Sequence, residues 1–181
     1  MNTIRVVTDE DFGLDMIEDP NPIKRKGARG IVVDADGKIA VFYKEKENVY
    51  KLPGGGIDEG ETAEQAFVRE CFEEAGCVVE IVDALGVVEE IKTYGHFRQT
   101  SFVYVGRVVE NTGVLHITEK ERQEGAYIIW KSPEEALQLM AACVDQIKDS
   151  PCDPHETAYA SKFMVLRDRC IVEEYLKSLK K

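Results

Sequence analysis

The period of apolar and polar positions changes several times along the chain, and each change marks an element. Ile4, Val6 and Val7 form a short apolar pattern that gives way to acidic residues. Pro20-Asn21-Pro22 then interrupts the chain ahead of the basic stretch Lys24-Arg25-Lys26. Residues 1–26 therefore read as an N-terminal arm that can supply one edge strand. Gly30-Ile31-Val32-Val33 and Ile39-Ala40-Val41-Phe42-Tyr43 are strand-like runs on either side of Asp36-Gly37, so a hairpin is expected. Residues 49–52 are a further short strand. It ends at Pro53-Gly54-Gly55-Gly56, where the backbone can take conformations that only glycine adopts cheaply.

A helix is expected next. Thr62 can cap it, Gln65 completes a capping box, and Gly76 suits a left-handed stop. Residues 78–81, 86–90 and 99–109 are strand-like, and 127–130 form a final strand. Ser132-Pro133-Glu134-Glu135 opens a second helix, expected to reach about Lys148. After a break at Asp149-Ser150-Pro151-Cys152, Asp153-Pro154-His155-Glu156 opens a last helix reaching about Lys177. This order predicts an α+β layered domain over 27–150, with a C-terminal helix in 151–181. Phe163, Leu166, Cys170, Val172, Tyr175 and Leu176 are too many apolar residues for a freely solvated helix. It must pack on its own domain or on a dimer partner.

Composition narrows the function. With 44% apolar and 31% charged residues in 181, the chain is globular rather than disordered. Its 23 Lys and Arg against 34 Asp and Glu leave a net charge of −11, which repels a nucleic-acid polymer at long range. A phosphorylated substrate would have to be met by local basic groups or by bound cations. The longest apolar run, residues 139–144, is far short of the ~20 needed to cross a bilayer, and the stretch from Met1 to Asp11 lacks the apolar core of a secretory signal. Five Cys at irregular spacing, with no CxxC pair, suggest reduced thiols, and three scattered His offer no zinc cluster. A cytoplasmic protein with no membrane partner is expected.

The helix after Thr62 carries the chemistry. Glu70, Glu73 and Glu74 share one of its faces, with only Ala63 and Ala66 beside them, while Phe67, Val68, Cys71, Phe72 and Ala75 are expected to face the core. Repulsion among these carboxylates costs a few tenths of a kcal/mol per pair in water. It rises to about 3 kcal/mol per pair at ~5.5 Å and an effective dielectric of ~20. Arg69 relieves part of it. A hard divalent cation relieves more, and Glu74→Gln is expected to abolish turnover with the fold intact and to stabilise the metal-free protein slightly.

Written out, the segment is Gly55, five residues, Glu61, seven residues, Arg69-Glu70-Cys71, one residue, Glu73-Glu74, one residue, Gly76-Cys77. It resembles the Nudix box, GX5EX7REUXEEXGU, where U is aliphatic. All seven fixed positions match, and both U positions hold Cys. The resemblance implies an α/β/α sandwich around a central mixed β-sheet and hydrolysis of a pyrophosphate bond in a nucleoside diphosphate linked to another group. It implies Mg²⁺, with Mn²⁺ as a substitute, held by Glu70, Glu73, Glu74 and the Gly54 carbonyl. Arg69 would orient the carboxylates, and Gly55, Glu61 and Gly76 would be structural. The general base would be Glu70 or a glutamate from a later loop, here Glu119, Glu121 or Glu124. Members often form homodimers, so a homodimer through the last helix is expected.

Other motifs lead nowhere. Gly54-Gly55-Gly56 is not followed by the Lys-Ser/Thr of a phosphate-binding loop, and Asp34-Ala35-Asp36-Gly37 has the wrong spacing for a calcium loop. Cys143, Cys152 and Cys170 lack a patterned base partner. Arg29, Lys44, Lys46, Arg98 and Arg107 are candidate phosphate contacts, and Tyr43, Tyr50, Phe97 and Phe102 candidate stacking platforms. Tyr94 stands near a tyrosine found in dinucleoside polyphosphate hydrolases, an alternative substrate class. The alternative to catalysis is a nucleotide-sensing module, although such modules usually lose box glutamates and this chain keeps them all.

Overall fold

In a computed structural model of the chain, described for residues 1–148 and 157–180, the longest runs of extended backbone pair around β2, Ile23–Val33. The other strands are β1 (Thr3–Thr8), β3 (Ile39–Lys44), β4 (Val49–Lys51), β5 (Gly54–Gly56), β6 (Cys77–Lys92), β7 (Phe97–Asn111) and β8 (Ala126–Lys131). The helices are α1 (Ala63–Ala75), α2 (Glu119–Gln123), α3 (Pro133–Lys148) and α4 (Thr157–Ser178). The strands form one mixed sheet in the order β1-β6-β7-β2-β3-β4, with β5 on β2 and β8 on β3. β1 runs parallel to β6 and β2 parallel to β7, while the other pairs are antiparallel. The expected break at 149–152 and the start of the last helix at 153–156 lie outside the described residues.

The two faces of the sheet read directly from the alternation in β2. Ala28 and Val32, with Ala40 and Tyr104, pack beneath Ala66, Phe67 and Cys71 of α1. Ile31, with Ile39, Val41 and Val103, packs against Met140 of α3 and Phe163, Ile171 and Val172 of α4. The result is an α/β/α sandwich. On α1, Phe72 is 38% exposed rather than buried and stacks on His116, whereas Ala66 is fully buried rather than on the open face.

Three elements differ from the sequence expectation. β2 begins at Ile23, because its basic end pairs with Phe97–Thr100 of β7 through backbone groups that are indifferent to side-chain polarity. Residues 78–81 and 86–90 are parts of the single strand β6, carried past Asp83 and Gly86 by register shifts against β7. Glu119–Gln123 is a short helix, not a loop, opened by a capping box between Thr118 and Glu121.

The segment 1–26 supplies β1, and Val7 reaches the core. Asp9 is buried and accepts hydrogen bonds from the Thr93 N–H (2.9 Å) and hydroxyl (2.6 Å) and from the Tyr159 hydroxyl of α4 (2.6 Å). Further along α4, Asp168 accepts from the Leu52 N–H (2.9 Å) and from Arg167 Nε (2.7 Å), while Arg167 Nη1 donates to Glu90 Oε2 (2.9 Å). The apolar face of α4 is thus buried within the chain, and its charges tie β4 to β6. Asp168→Ala strips the Leu52 N–H and a buried guanidinium of their acceptor. It is expected to cost about 3–5 kcal/mol in unfolding free energy, measured by urea denaturation at pH 7.

Candidate functional site

The glycine loop and α1 are shaped for close approach. Gly54 has a φ of +146°, and a Cβ there would collide with Arg29. A Cβ at Gly55 would collide with the carboxylate of Glu70. The capping box between Thr62 and Gln65 fixes the start of α1, and Gly76, at φ +64°, ends it.

Arg69 holds the first group of carboxylates. Its Nε and Nη2 donate to Glu61 (2.9 and 3.0 Å), Nη1 to Glu70 Oε1 (2.9 Å) and Glu73 Oε2 (3.1 Å), and Nη2 also to the Gly56 carbonyl (2.9 Å). The bidentate hold of Glu61 raises Arg69 well above the ordinary guanidinium range and lowers Glu61 below the ordinary carboxylate range. Glu74 turns the other way and is buried. Its Oε1 accepts from Lys51 Nζ (2.5 Å) and its Oε2 from the Gly54 N–H (2.8 Å). Lys51 also lies 4.4 Å over the Phe42 ring and 3.7 Å from Glu121. Burial pushes the carboxyls of both Glu70 and Glu74 up from their ordinary value.

These groups border a cavity of about 430 Å³ lined by charges of both signs. Glu70, Glu73, Glu74 and Glu121 line it, with the β5 glycines beside them. Arg25 and Arg29 of β2, Lys51, Lys92 of β6 and Arg167 of α4 supply cations, while Ile117, Ala160 and Met164 add apolar surface. A chain of net charge −11 thus places five basic side chains where an anion can enter.

Of the three glutamates considered from the later segment, Glu121 alone lines the cavity. The backbone brings it there: Thr112 N–H and hydroxyl donate to the Gly76 carbonyl, and His116 N–H to the Glu73 carbonyl. Its Oε2 is engaged in capping α2, accepting from the Thr118 N–H (3.0 Å) and hydroxyl (2.8 Å). Glu124 pairs with Lys44 (2.7 Å), and Glu119 accepts from Gln123 (3.1 Å). Among the substrate candidates only Arg29 lines the cavity. Lys44 also pairs with Glu47, Arg107 with Glu80, and Tyr43 stacks on Tyr50. Tyr94 donates its hydroxyl to the Asp15 carbonyl (3.0 Å), away from the cavity. Arg25, Lys51, Lys92 and Arg167 belong to no motif in the sequence; the spacing of Arg25 and Arg29, which puts both on one face of a strand, is the one available signal.

Among the described residues, no three acidic, His or Cys side chains converge into a closed metal shell. The donor chemistry nonetheless fits a hard divalent cation. Glu70 Oε2 and Glu73 Oε1 make no hydrogen bond among the described residues, and both carboxylates border the cavity beside Glu74.

A family model for the NUDIX domain matches residues 23–149. The chain belongs to the NUDIX family. It is 28% identical over 120 residues to a MutT-like protein of Streptomyces ambofaciens, an alignment covering 66% of this chain and 71% of that protein. It is 30% identical over 108 residues to a putative 8-oxo-dGTP diphosphatase of Bacillus subtilis (strain 168), covering 60% and 66% respectively. The crystal structure of a MutT protein from Methanosarcina mazei Go1 superposes with a TM-score of 0.56 over 90% of this chain and 99% of that one. At 16% identity that likeness concerns the fold alone. The NUDIX match begins at the first residue of β2 and stops before α4, so β1 and the last helix lie outside it.

The geometry reverses one sequence-level expectation. Removing a carboxylate from this face should not stabilise the protein if that carboxylate is Glu74, because Lys51 would lose its close partner in a buried place. Glu74→Gln is expected to cost about 3 kcal/mol in unfolding free energy. Glu73→Gln, whose bond to Arg69 lies near the surface, should change it by about 1 kcal/mol or less. Denaturant titration of the two variants side by side checks the difference.

Proposed function

We propose that this protein is a divalent-metal-dependent hydrolase of a pyrophosphate bond in a nucleoside diphosphate derivative. The observation that carries the reading is the cavity itself, lined both by the box carboxylates and by arginines and lysines. The fully matched NUDIX box and the diphosphatase named among the relatives support the same reading. Glu70, Glu73 and Glu74 would hold Mg²⁺ or Mn²⁺, which when bound neutralises phosphate charge and polarises phosphorus toward attack by water.

The chain's own residues do the rest. Arg69 fixes Glu70 and Glu73 against the Glu61 carboxylate and the Gly56 carbonyl, so neither must reorganise when substrate arrives. Glu70 is the better proton acceptor. Burial raises its carboxyl, which strengthens it as a base, whereas the bonds from Thr118 outweigh burial and hold the Glu121 carboxyl below its ordinary value. Lys51 and Arg29, which also line the cavity, would supply positive charge to the substrate phosphates.

A panel of nucleotides incubated with Mg²⁺ and resolved by chromatography tests the reading. A nucleoside monophosphate product is expected, and binding without turnover across the panel would count against it. Glu70→Gln should lower turnover by about 10²–10⁴-fold with the fold intact by circular dichroism. Protons and the cation compete for carboxylates whose pKa values are raised, so apparent Mg²⁺ affinity and turnover should both fall as pH drops through those values. The pH profile should climb from neutral into the alkaline range; a maximum near pH 5–6 would contradict a glutamate or metal-bound water as base.

A further inference from the structure

We propose that Asp168 of α4 is a positioning residue for the glycine loop. It fixes the turn that carries the Gly54 carbonyl, so that divalent-cation affinity depends on a helix outside the NUDIX match. The inference rests on the reading of the cavity as a metal and nucleotide site. Pro53 has no N–H and the three glycines have no side chains, so the place of this loop is set by backbone bonds to its neighbours. Two bonds at its entry come from inside the match. The Gly30 N–H donates to the Pro53 carbonyl (3.2 Å), and the Gly54 N–H donates to Glu74 Oε2 (2.8 Å). The third comes from α4. Leu52 follows the last residue of β4 that pairs with β3, and it is fully buried, so its N–H must find an acceptor away from the strand. Asp168 Oδ2 accepts it at 2.9 Å.

Asp168 is itself fully buried and held in one orientation. Its Oδ1 accepts from Arg167 Nε (2.7 Å), and Arg167 Nη1 donates in turn to Glu90 Oε2 of β6 (2.9 Å). A path of bonded groups thus runs from β6 through α4 to the entry of the glycine loop. Buried ion pairs add little net stability over apolar packing, because desolvation offsets their attraction. What this one adds is a charged acceptor that cannot turn away, and its bond to the loop is stronger than a neutral one. Position is what a cation site demands. Mg²⁺ takes oxygens at about 2.0–2.1 Å in near-octahedral order, and a misplacement of about 1 Å at a reacting centre can cost about 10²-fold in rate. Only Pro53, with its ring-locked φ, separates Leu52 from Gly54, so a shift at the Leu52 N–H is passed on to Gly54.

The test uses the full chain with Mn²⁺ alone as the probe, read by paramagnetic resonance of the free ion and by calorimetry. Asp168→Asn keeps the size of the side chain but presents an oxygen to only one of Arg167 and Leu52. It should bind Mn²⁺ about ten- to a hundredfold more weakly than the parent, at a temperature where it is folded. Tyr159→Phe is the control for stability. It removes the bond from α4 to Asp9, and should lower the melting temperature while leaving Mn²⁺ affinity as in the parent. Parent-like affinity in folded Asp168→Asn overturns the inference, and so does an equal loss in Tyr159→Phe. If Asp168→Asn does not fold, the parent decides by reciprocity. Mg²⁺ should then slow hydrogen exchange in α4 around Asp168, although α4 supplies none of the expected metal carboxylates. Exchange there that ignores Mg²⁺ overturns the inference. A parent that binds neither ion removes the proposed function as well, whereas binding that ignores Asp168 removes this inference alone.

Discussion

Carboxylates lined up on one helix face beside a cavity cannot all stay ionised unless fixed cations stand next to them, and much of this structure follows from that constraint. At the spacing of Glu70, Glu73 and Glu74 the mutual repulsion is about 3 kcal/mol per pair at an intermediate dielectric. Two side chains share the task of offsetting it. Arg69 spans Glu61, Glu70 and Glu73 from within α1, and Lys51 reaches Glu74 from β4. Each also anchors a piece of backbone, since Arg69 bonds the Gly56 carbonyl and Glu74 accepts the Gly54 N–H. The glycine loop is therefore clamped at both ends by the same charges that keep the helix face polar. Its conformation follows from electrostatics as much as from the permissiveness of glycine.

The basic wall obeys the same rule with the signs exchanged. Arg29, Lys92 and Arg167 would repel one another, and Glu90 and Asp168 are buried among them. Burial alone would raise the Glu90 carboxyl, but Arg167, Lys92 and Arg29 together hold it at about 2. Arg167, 4% exposed, is drawn well above the ordinary range by Asp168 and Glu90 despite its own burial. Arg29 is the one left short, because both acidic groups are nearer to others. That asymmetry arises from α4. By bringing Arg167 beside Asp168 and Glu90, the last helix saturates those acids and leaves the β2 arginine facing the cavity. A helix outside the NUDIX match thereby sets the charge of the site.

What was legible in the sequence was what lies close together along it. The box could be read because Glu70, Glu73 and Glu74 share a helical face by spacing alone, and the turn at Asp36-Gly37 and the caps at Thr62 and Ser132 are local chemistry that the structure reproduces. The site's second half was not legible, since Arg25, Lys51, Lys92 and Arg167 come from four elements that meet only through the sheet order. The early start of β2 was hidden because Lys24-Arg25-Lys26 carry no apolar signal, and parallel pairing with β7 needs none. The helix at Glu119–Gln123 was missed although Thr118 and Glu121 spell a capping box. The same glutamate both caps that helix and borders the cavity, and its functional reading obscured the structural one.

Cys71 and Cys77 show which part of the box pattern carries the constraint. Both stand where the family pattern has aliphatic residues, and both are fully buried in the cluster between α1 and the sheet. Burial pushes both thiols up, Cys77 to about 11, so neither is a thiolate at neutral pH and both behave as small apolar groups. A packing position accepts such a change because its neighbours can close around a different volume of similar polarity. The charged positions have no such latitude. Glu61, Arg69, Glu70 and Glu73 are bonded to one another in a fixed geometry, and Glu74 answers to Lys51 and Gly54. Replacing Glu74 strands Lys51 in a poorly solvated place, and replacing Arg69 leaves three carboxylates without their shared donor, whereas replacing an aliphatic residue strands nothing. The box is in this sense a charge arrangement supported by packing, which is why its charges and glycines are intact here while both of its aliphatic positions have changed.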